Sequence, residues 1–248
     1  MTHTNVAIVT GGSAGIGAEI CRSMLDAGYE VISMARRAAD FSHPRLHNVQ
    51  VDLLDADATA QAGAEIAARF PVSHVIHNAG VIWPNLLPQV TQEELHGLTQ
   101  IHLGAAISLV QAALPGMLAA KWGRVINVAS TAGLIGYAYV SAYCAAKHGV
   151  IGLTRSLALE TAQKGVTINA VCPGYTETDI VRGAVTNIVE KTGMTPEAAR
   201  AKLAERNPQG RLVQPEEVAE TVAWLALPAS SSINGQAIAV DGGEVMTG

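Results

Sequence analysis

Short β-branched runs alternate with longer segments of helical period along almost the whole of this 248-residue chain, and that alternation limits its folds more than any other feature. Val6–Thr10 is followed by a helical segment, Ile16–Ala27, and then by Val31–Met34. Asn48–Val51 precedes Asp55–Arg69, and His74–His77 precedes Gln92–Ala120. Arg124–Val128 leads to a helical segment from about Ala142 to Gln163, Thr167–Val171 leads to an irregular stretch, and Gln236–Val240 closes the pattern. Near-continuous apolar strands separated by helices predict an α/β fold, with a doubly wound parallel sheet covered on both faces and right-handed crossovers. No shift in composition marks a linker, so residues 1–248 are read as a single domain.

Local signals place some boundaries. Thr91 with Glu94 makes a capping-box pattern at the head of the long central helix. Pro215 followed by Glu216 and Glu217 suits a helix entry, because proline fits the first helical position and carboxylates favour the positive helix end. The short connection from Met34 to Asn48 contains Pro44 and predicts no crossover helix.

Hydrophobic residues make up 49% of the chain and charged residues 15%, enough apolar surface to support a core without cross-links. Against 21 acidic residues stand 16 Lys and Arg, a net charge of −5 with no run of like sign, which argues against nucleic-acid and anionic-membrane partners and for a small molecule. Cys21, Cys144 and Cys172 have neither disulfide-framework nor metal-ligand spacing, so no metal is expected and a reducing cytoplasm fits. Only polar residues precede Val6 apart from the initiator Met1, which predicts no signal or transit peptide. Ser108, Gln111 and Pro115 interrupt the apolar stretch Ile107–Ala120, so no spanning segment and a soluble protein are expected.

Thr10-Gly11-Gly12-Ser13-Ala14-Gly15-Ile16-Gly17 runs from the first strand straight into a helical segment. Glycines there allow a tight turn and leave the N–H groups of a helix start bare for a pyrophosphate, although a simple strand-to-helix turn has the same look. At the end of the second strand, where an acid would hold the ribose hydroxyls of NAD, stands Ala35-Arg36-Arg37. Arginine matches a 2′-phosphate and points to NADP(H), with Arg36 the main contact; solvated turn charges are the competing reading.

Tyr143 and Lys147 are four apart and share a helix face, where an ammonium near a phenol favours the phenolate. Ordinary packing beside a surface charge produces the same spacing. Taken together, the glycine turn, Asn78-Ala79-Gly80, Ser130, Tyr143-x-x-x-Lys147 and Pro173-Gly174 resemble the classical short-chain dehydrogenase/reductase family along the full chain, with Tyr143 13 residues after Ser130.

The resemblance implies a Rossmann-like sheet of seven parallel strands and an oxidoreductase moving a hydride between NADP(H), or alternatively NAD(H), and a secondary alcohol or ketone. It makes Tyr143 the acid/base, Ser130 the donor to the substrate oxygen, and Lys147 the group that lowers the Tyr143 pKa and holds the nicotinamide ribose. It assigns Gly11, Ser13, Gly15, Ile16 and Gly17 to the phosphates, Asp52 and Leu53 to the adenine, and Asn78, Ala79 and Gly80 to the adenosine ribose. Pro173, Gly174, Thr176 and Thr178 fall to the nicotinamide end. Two positions depart from the family pattern. His77 replaces an asparagine and is read as a tolerated change. His102 replaces the asparagine of a water-mediated proton relay, and either takes over that relay or only packs in a helix bend.

Residues from about 180 to 207 stand where the family carries a mobile substrate lid, with Arg182 or Lys191 suited to an anionic tail. Tyr137, Trp83 and Tyr175 either line the pocket or pack at the sheet edge. Substrates of some size are suggested, such as a 3-oxoacyl or 3-hydroxyacyl thioester or a cyclic ketone. A non-catalytic dinucleotide sensor is the competing class; it has no need of a proton donor like Tyr143. The apolar faces of the helix after Thr91 and of the helix bearing Tyr143 suggest, by analogy with the family, a homotetramer.

Overall fold

A strand covered on both faces has no use for polar alternation, and β1 (Val6–Thr10) is apolar up to Thr10 and buried throughout. In the computed structural model, which describes residues 5–246, β1 lies inside a seven-stranded sheet. The other strands are β2 (Glu30–Ala35), β3 (Leu46–Gln50), β4 (His74–His77), β5 (Gly123–Val128), β6 (Val166–Pro173) and β7 (Ala237–Val240). Every pairing is parallel, in the order β3-β2-β1-β4-β5-β6-β7. Strand order reverses between β1 and β4, where Val9 pairs with Ile76. At such a switch point the connections leave in opposite directions, so a crevice forms beyond the carboxyl ends of the two strands.

Alternation along β1 divides the core. Ala7 and Val9 face α1 (Gly15–Asp26) and α8 (Pro215–Ala226), where Ile20, Met24, Val218, Val222 and Leu225 cover one side of the sheet. Val6 and Ile8 face the opposite layer, to which α2 (Ala56–Arg69) contributes Ile66 and the central helix contributes Leu109, Val110, Ala113 and Met117. α5 (Ser141–Thr161) packs on β6 in the same layer. The edge strand β3 starts two residues before its β-branched run, Leu46 pairing with Val31. Its polar His47, Asn48 and Gln50 are tolerated because, among the described residues, one flank has no neighbouring strand.

The central helix is not uniform. α3 (Gln92–Thr99) opens with the expected capping box, in which Thr91 Oγ1 accepts the Glu94 N–H and Glu94 accepts the Thr91 N–H. A π-helical turn, Gln100–Gly104, then leads into α4 (Ala105–Ala120). There the Ala105 N–H reaches back five residues to the Gln100 carbonyl. Contrary to the sequence expectation, Gln92–Ala120 is, by its 29-residue length and its composition, long and apolar enough to cross a membrane. Its buried residues, among them Leu98, Leu109 and Met117, serve the core beneath it.

After β6 the chain forms α6 (Asp179–Thr192) and α7 (Pro196–Ala204), which share a small cluster of Val181, Ala204 and Leu212 packed with Tyr175, Val185 and Leu203. This helix pair occupies the segment expected to be a lid.

Candidate active site

Thr10 ends β1 beside the end of β4, and its hydroxyl ties the two together. Thr10 Oγ1 accepts the N–H groups of Asn78 and Ala79, both at 2.9 Å, and lies 3.1 Å from His77 Nδ1. The Asn78 side chain donates to the Thr10 carbonyl at 3.1 Å. Such close approach leaves no room for side chains: a Cβ on Gly17 would sit 2.1 Å from the Gly11 carbonyl oxygen, and Gly11 itself has φ +68°.

α1 starts at Gly15, and its N-cap residue, Ala14, offers no side-chain acceptor. The first N–H groups of the helix therefore lack a side-chain cap and, with the helix dipole, suit a phosphate. Ser13, Ala14 and Gly15 line a cleft of about 430 Å³ together with Arg22, Arg37, Asp40, Asp179 and Arg182. Arg22 is paired with Glu19 and Asp40, and Arg182 with Asp179, whereas Arg37 forms no ion pair among the described residues. Arg36 is exposed but does not line this cleft, whereas Arg37 does. Bare helix-start donors, a glycine cradle and one uncommitted arginine fit a phosphorylated dinucleotide. Ile16 packs into the layer beneath, leaving its backbone to serve such a group.

Other expected contacts vary in their freedom. Asp52 is exposed and accepts the Leu54 N–H at 3.1 Å, while Leu53 is buried and its carbonyl accepts from Gln100 at 3.1 Å. Pro173 ends β6, and Gly174 approaches Asp241 so closely that a Cβ would lie 3.0 Å from Asp241 Cβ. Thr176 and Thr178 spend their hydroxyl hydrogens locally, on the carbonyls of Gly174 and Thr176 at 3.0 and 3.2 Å.

Ser130, Tyr143 and Lys147 converge at the end of β5. Ser130 accepts the Ala132 N–H at 3.1 Å, and its hydroxyl is close enough to the Tyr143 phenol to influence its ionisation. Burial pushes Tyr143 up to about 12, the Ser130 hydroxyl opposing it. Lys147 is buried; its Nζ donates to the Val128 carbonyl at 2.9 Å and lies 5.7 Å from the Tyr143 ring centre. Desolvation brings the ammonium down to about 7, partly offset by the Cys172 thiol. Burial is thus the largest influence on the phenol, and the Lys147 ammonium is held by the Val128 carbonyl.

His102 sits within the π turn, 1% exposed. Its Nε2 lies 2.9 Å from the Val81 carbonyl, which can only accept, so Nε2 carries the hydrogen and Nδ1 is a lone pair. That Nδ1 is buried without a partner, and the ring meets Tyr143 edge-on at 5.4 Å and 77°. A Cβ on Gly80 would fall 2.5 Å from His102 Cε1, so this glycine makes space for the imidazole. Burial, reinforced by Lys147, holds His102 well below its usual pKa.

His77 is more than a tolerated change. Its Nε2 donates to the Ile101 carbonyl at 2.9 Å, the group that the Ala105 N–H bypasses in the π turn. Its Nδ1 is left to accept from Thr10, and the hydroxyl then joins three groups at once. Trp83 packs on Gly97, where a Cβ would lie 2.9 Å from its ring. Tyr137 and Tyr175 meet edge-on at 6.4 Å, and Tyr175 is electrostatically coupled to the Tyr143 side. Arg182 lines the cleft beside the glycine turn and is paired with Asp179. Thr10 as a hub, and Arg206 and Glu244 beside Tyr137, are further residues of the site. Thr10 opens the glycine motif, whereas nothing in the local sequence marks Arg206 or Glu244.

A family model described as short chain dehydrogenase matches residues 5–188. The D-beta-hydroxybutyrate dehydrogenase of Cupriavidus necator is 35% identical over 256 residues, covering 99% of both chains. A 3-oxoacyl-(acyl-carrier-protein) reductase of Vibrio cholerae is 35% identical, covering 97% of each. Among solved structures, a protein of Beutenbergia cavernae provisionally assigned as an NAD(P)-dependent gluconate 5-dehydrogenase, with bound NADP at low occupancy, superposes with a TM-score of 0.85. It is 31% identical, covering 97% of this chain and 96% of that one.

His77 gives a test of this network. Burial lowers its pKa from 6.5 to about 4, so between those values the unfolded chain binds the proton and the folded one does not, and stability falls as pH drops through that window. In urea unfolding at stepped pH, His77→Asn is expected to show a shallower loss of stability between pH 6.5 and 4 than the parent. Equal slopes would mean that His77 is not held neutral.

Proposed function

We propose that this chain, which belongs to the short-chain dehydrogenase family and is an oxidoreductase acting on CH–OH and C=O groups, prefers NADP(H) and works through Ser130, Tyr143 and Lys147. The observation that carries the reading is the convergence of these three side chains at the carboxyl edge of the sheet, on the same edge as a glycine turn with an uncommitted arginine. When bound, the nicotinamide supplies or accepts the hydride. Ser130 orients the substrate oxygen, and Tyr143, held protonated at neutral pH, gives that oxygen its proton in reduction. Lys147 supplies positive charge behind the phenol and donors for the nicotinamide ribose. Gly11, Ser13, Gly15 and Gly17 admit the phosphates, Arg36 and Arg37 the 2′-phosphate, and Asp52, Leu53, Asn78, Ala79 and Gly80 the adenosine half. Pro173, Gly174, Thr176 and Thr178 bound the carboxamide end.

His102 supports the proton path as an acceptor. With Nε2–H held by Val81, its bare Nδ1 orders a donor beside Tyr143 instead of passing a proton through the ring. The helix pair over residues 180–207 acts as the lid. Three free, buried cysteines accord with a reducing cytoplasm, and the partly exposed apolar face of α4 accords with a homotetramer.

Absorbance loss from NADPH and from NADH over a panel of ketones, cyclic ketones, oxo acids and 3-oxoacyl thioesters tests the reading. NADPH is expected to be favoured. Arg36→Asp and Arg37→Asp should each shift the NADPH/NADH ratio of kcat/KM toward NADH, Arg37→Asp by about tenfold or more, as loss of a charge-assisted bond predicts. A ratio unmoved by both substitutions would refute the 2′-phosphate assignment.

The pH profile offers a second test. kcat/KM for the dinucleotide reports the free enzyme. It is expected to fall as pH rises through about 7, where Lys147 loses its proton, and Lys147→Met should lack that limb. His102→Asn should move the midpoint; an unchanged midpoint would leave His102 a packing residue, and a limb that survives in Lys147→Met would assign it elsewhere.

A further inference from the structure

Three segments far apart in the chain meet beside Thr131, the residue after Ser130. Tyr137 lies between β5 and α5, Arg206 follows α7 at the end of the lid, and Glu244 follows β7. The Tyr137 hydroxyl donates to Glu244 Oε1 at 2.7 Å and lies 2.8 Å from Thr131 Oγ1, next to Ser130. The Arg206 guanidinium rests on the Tyr137 ring, 4.8 Å from its centre. Tyr175, edge-on to Tyr137 at 6.4 Å, is coupled electrostatically to Arg206 and Glu244.

Arg206 is well held but not used up. Its nearest carboxylate atom, Glu244 Oε1, is 3.8 Å from Nη1, beyond hydrogen-bond distance, and it donates no hydrogen bond among the described residues. Its side chain is 51% exposed, whereas that of Glu244 is 6% exposed. An incoming ligand therefore meets the cation before the anion. The other cations of the lid differ: Arg182 is paired with Asp179, Arg200 with Glu177 and Lys202 with Glu205, while Lys191 lies in the exposed last turn of α6. A planar guanidinium stacked on an aromatic face, oriented by a nearby carboxylate and keeping its donors open, is suited to bidentate recognition of an oxyanion.

We propose that Arg206, positioned by Tyr137 and Glu244, receives a carboxylate of the substrate, so that the enzyme acts on a hydroxy acid or oxo acid in its free-acid form. This deepens the oxidoreductase reading and rests on it. Docking of the carboxylate links the lid, through Arg206, to the loop that carries Tyr137. Phosphates of a carrier-bound thioester share the oxyanion chemistry, and the test separates the two sources.

With the intact enzyme and its preferred nicotinamide, kcat/KM is measured for 3-, 4- and 5-oxo acids, their methyl esters, and the coenzyme A thioester of the 3-oxo acid. At the best chain length the acid is expected to exceed its ester by about 10- to 100-fold, the range for a hydrogen-bonded charge pair. Arg206→Gln should collapse that ratio toward one, and Arg206→Lys should restore part of it. Butyrate, which has no carbonyl to reduce at the reacting position, should inhibit ester turnover competitively, with a Ki at least about tenfold higher in Arg206→Gln. Esters turned over as well as acids, or a preference for acids that survives in Arg206→Gln, would overturn the proposal while leaving the oxidoreductase reading standing. Thioester turnover that alone depends on Arg206 would overturn it in favour of a phosphate. Failure of every acid, ester and ketone to oxidise or reduce the cofactor would instead remove the reading beneath it.

Discussion

The carboxyl ends of β1 and β4 approach so closely at the sheet's reversal that one hydroxyl, that of Thr10, holds them together. It accepts from Asn78 and Ala79 and donates to His77, so the backbone on both sides of the crevice is fixed by a single atom. Gly11 and Gly17 follow from that constraint, since a Cβ on either would strike the turn or Asn78. The constraint continues outward. His77, oriented by Thr10, takes the Ile101 carbonyl that the π turn releases, and the turn places His102 edge-on to Tyr143 over the space left by Gly80. The glycine turn and the His102–Tyr143 pair are thus parts of one connected network, not independent motifs on a common scaffold.

Burial governs the charges of that network. Histidines 77 and 102 are held neutral, Tyr143 is held protonated and Lys147 is brought toward neutrality, each because water is scarce around it. Among the described residues no carboxylate is hydrogen-bonded to Lys147, whose donor bond goes to the Val128 carbonyl. A lysine in that state responds strongly to any anion brought near it, because its charge is poorly compensated by the protein. The proposed substrate side is organised differently: Arg206 is half exposed and is oriented by ring stacking and by the Glu244 carboxylate 3.8 Å away.

Much of the fold was legible because parallel strands buried on both faces must be apolar and helices must be periodic; β1, β4 and the capping box at Thr91 fall where those rules put them. The start of β3 was not, since an edge strand tolerates polar residues and its register is set by β2. Nor was the apolar length of the central helix, whose Ser108 and Gln111 do not outweigh its many small apolar residues. Ser130, Tyr143 and Lys147 were legible from spacing and family resemblance, and they do converge. The lesser reach of Arg36 into the cleft, the packing of Trp83 on Gly97, the role of His77 and the grouping of Tyr137, Arg206 and Glu244 depend on where separate segments return in space. Local pattern holds no record of that.

The central claim is that Tyr143 transfers the proton while the rest of the site holds the reactants in place. Tyr143→Phe removes only the hydroxyl, so its single-turnover rate of NADPH oxidation with the best carbonyl substrate, measured beside its affinity for NADPH, tests that claim most directly. The account predicts a rate reduced by about 100-fold or more, as expected for loss of a general acid, with affinity for NADPH changed less than about threefold. A rate close to that of the parent would contradict it.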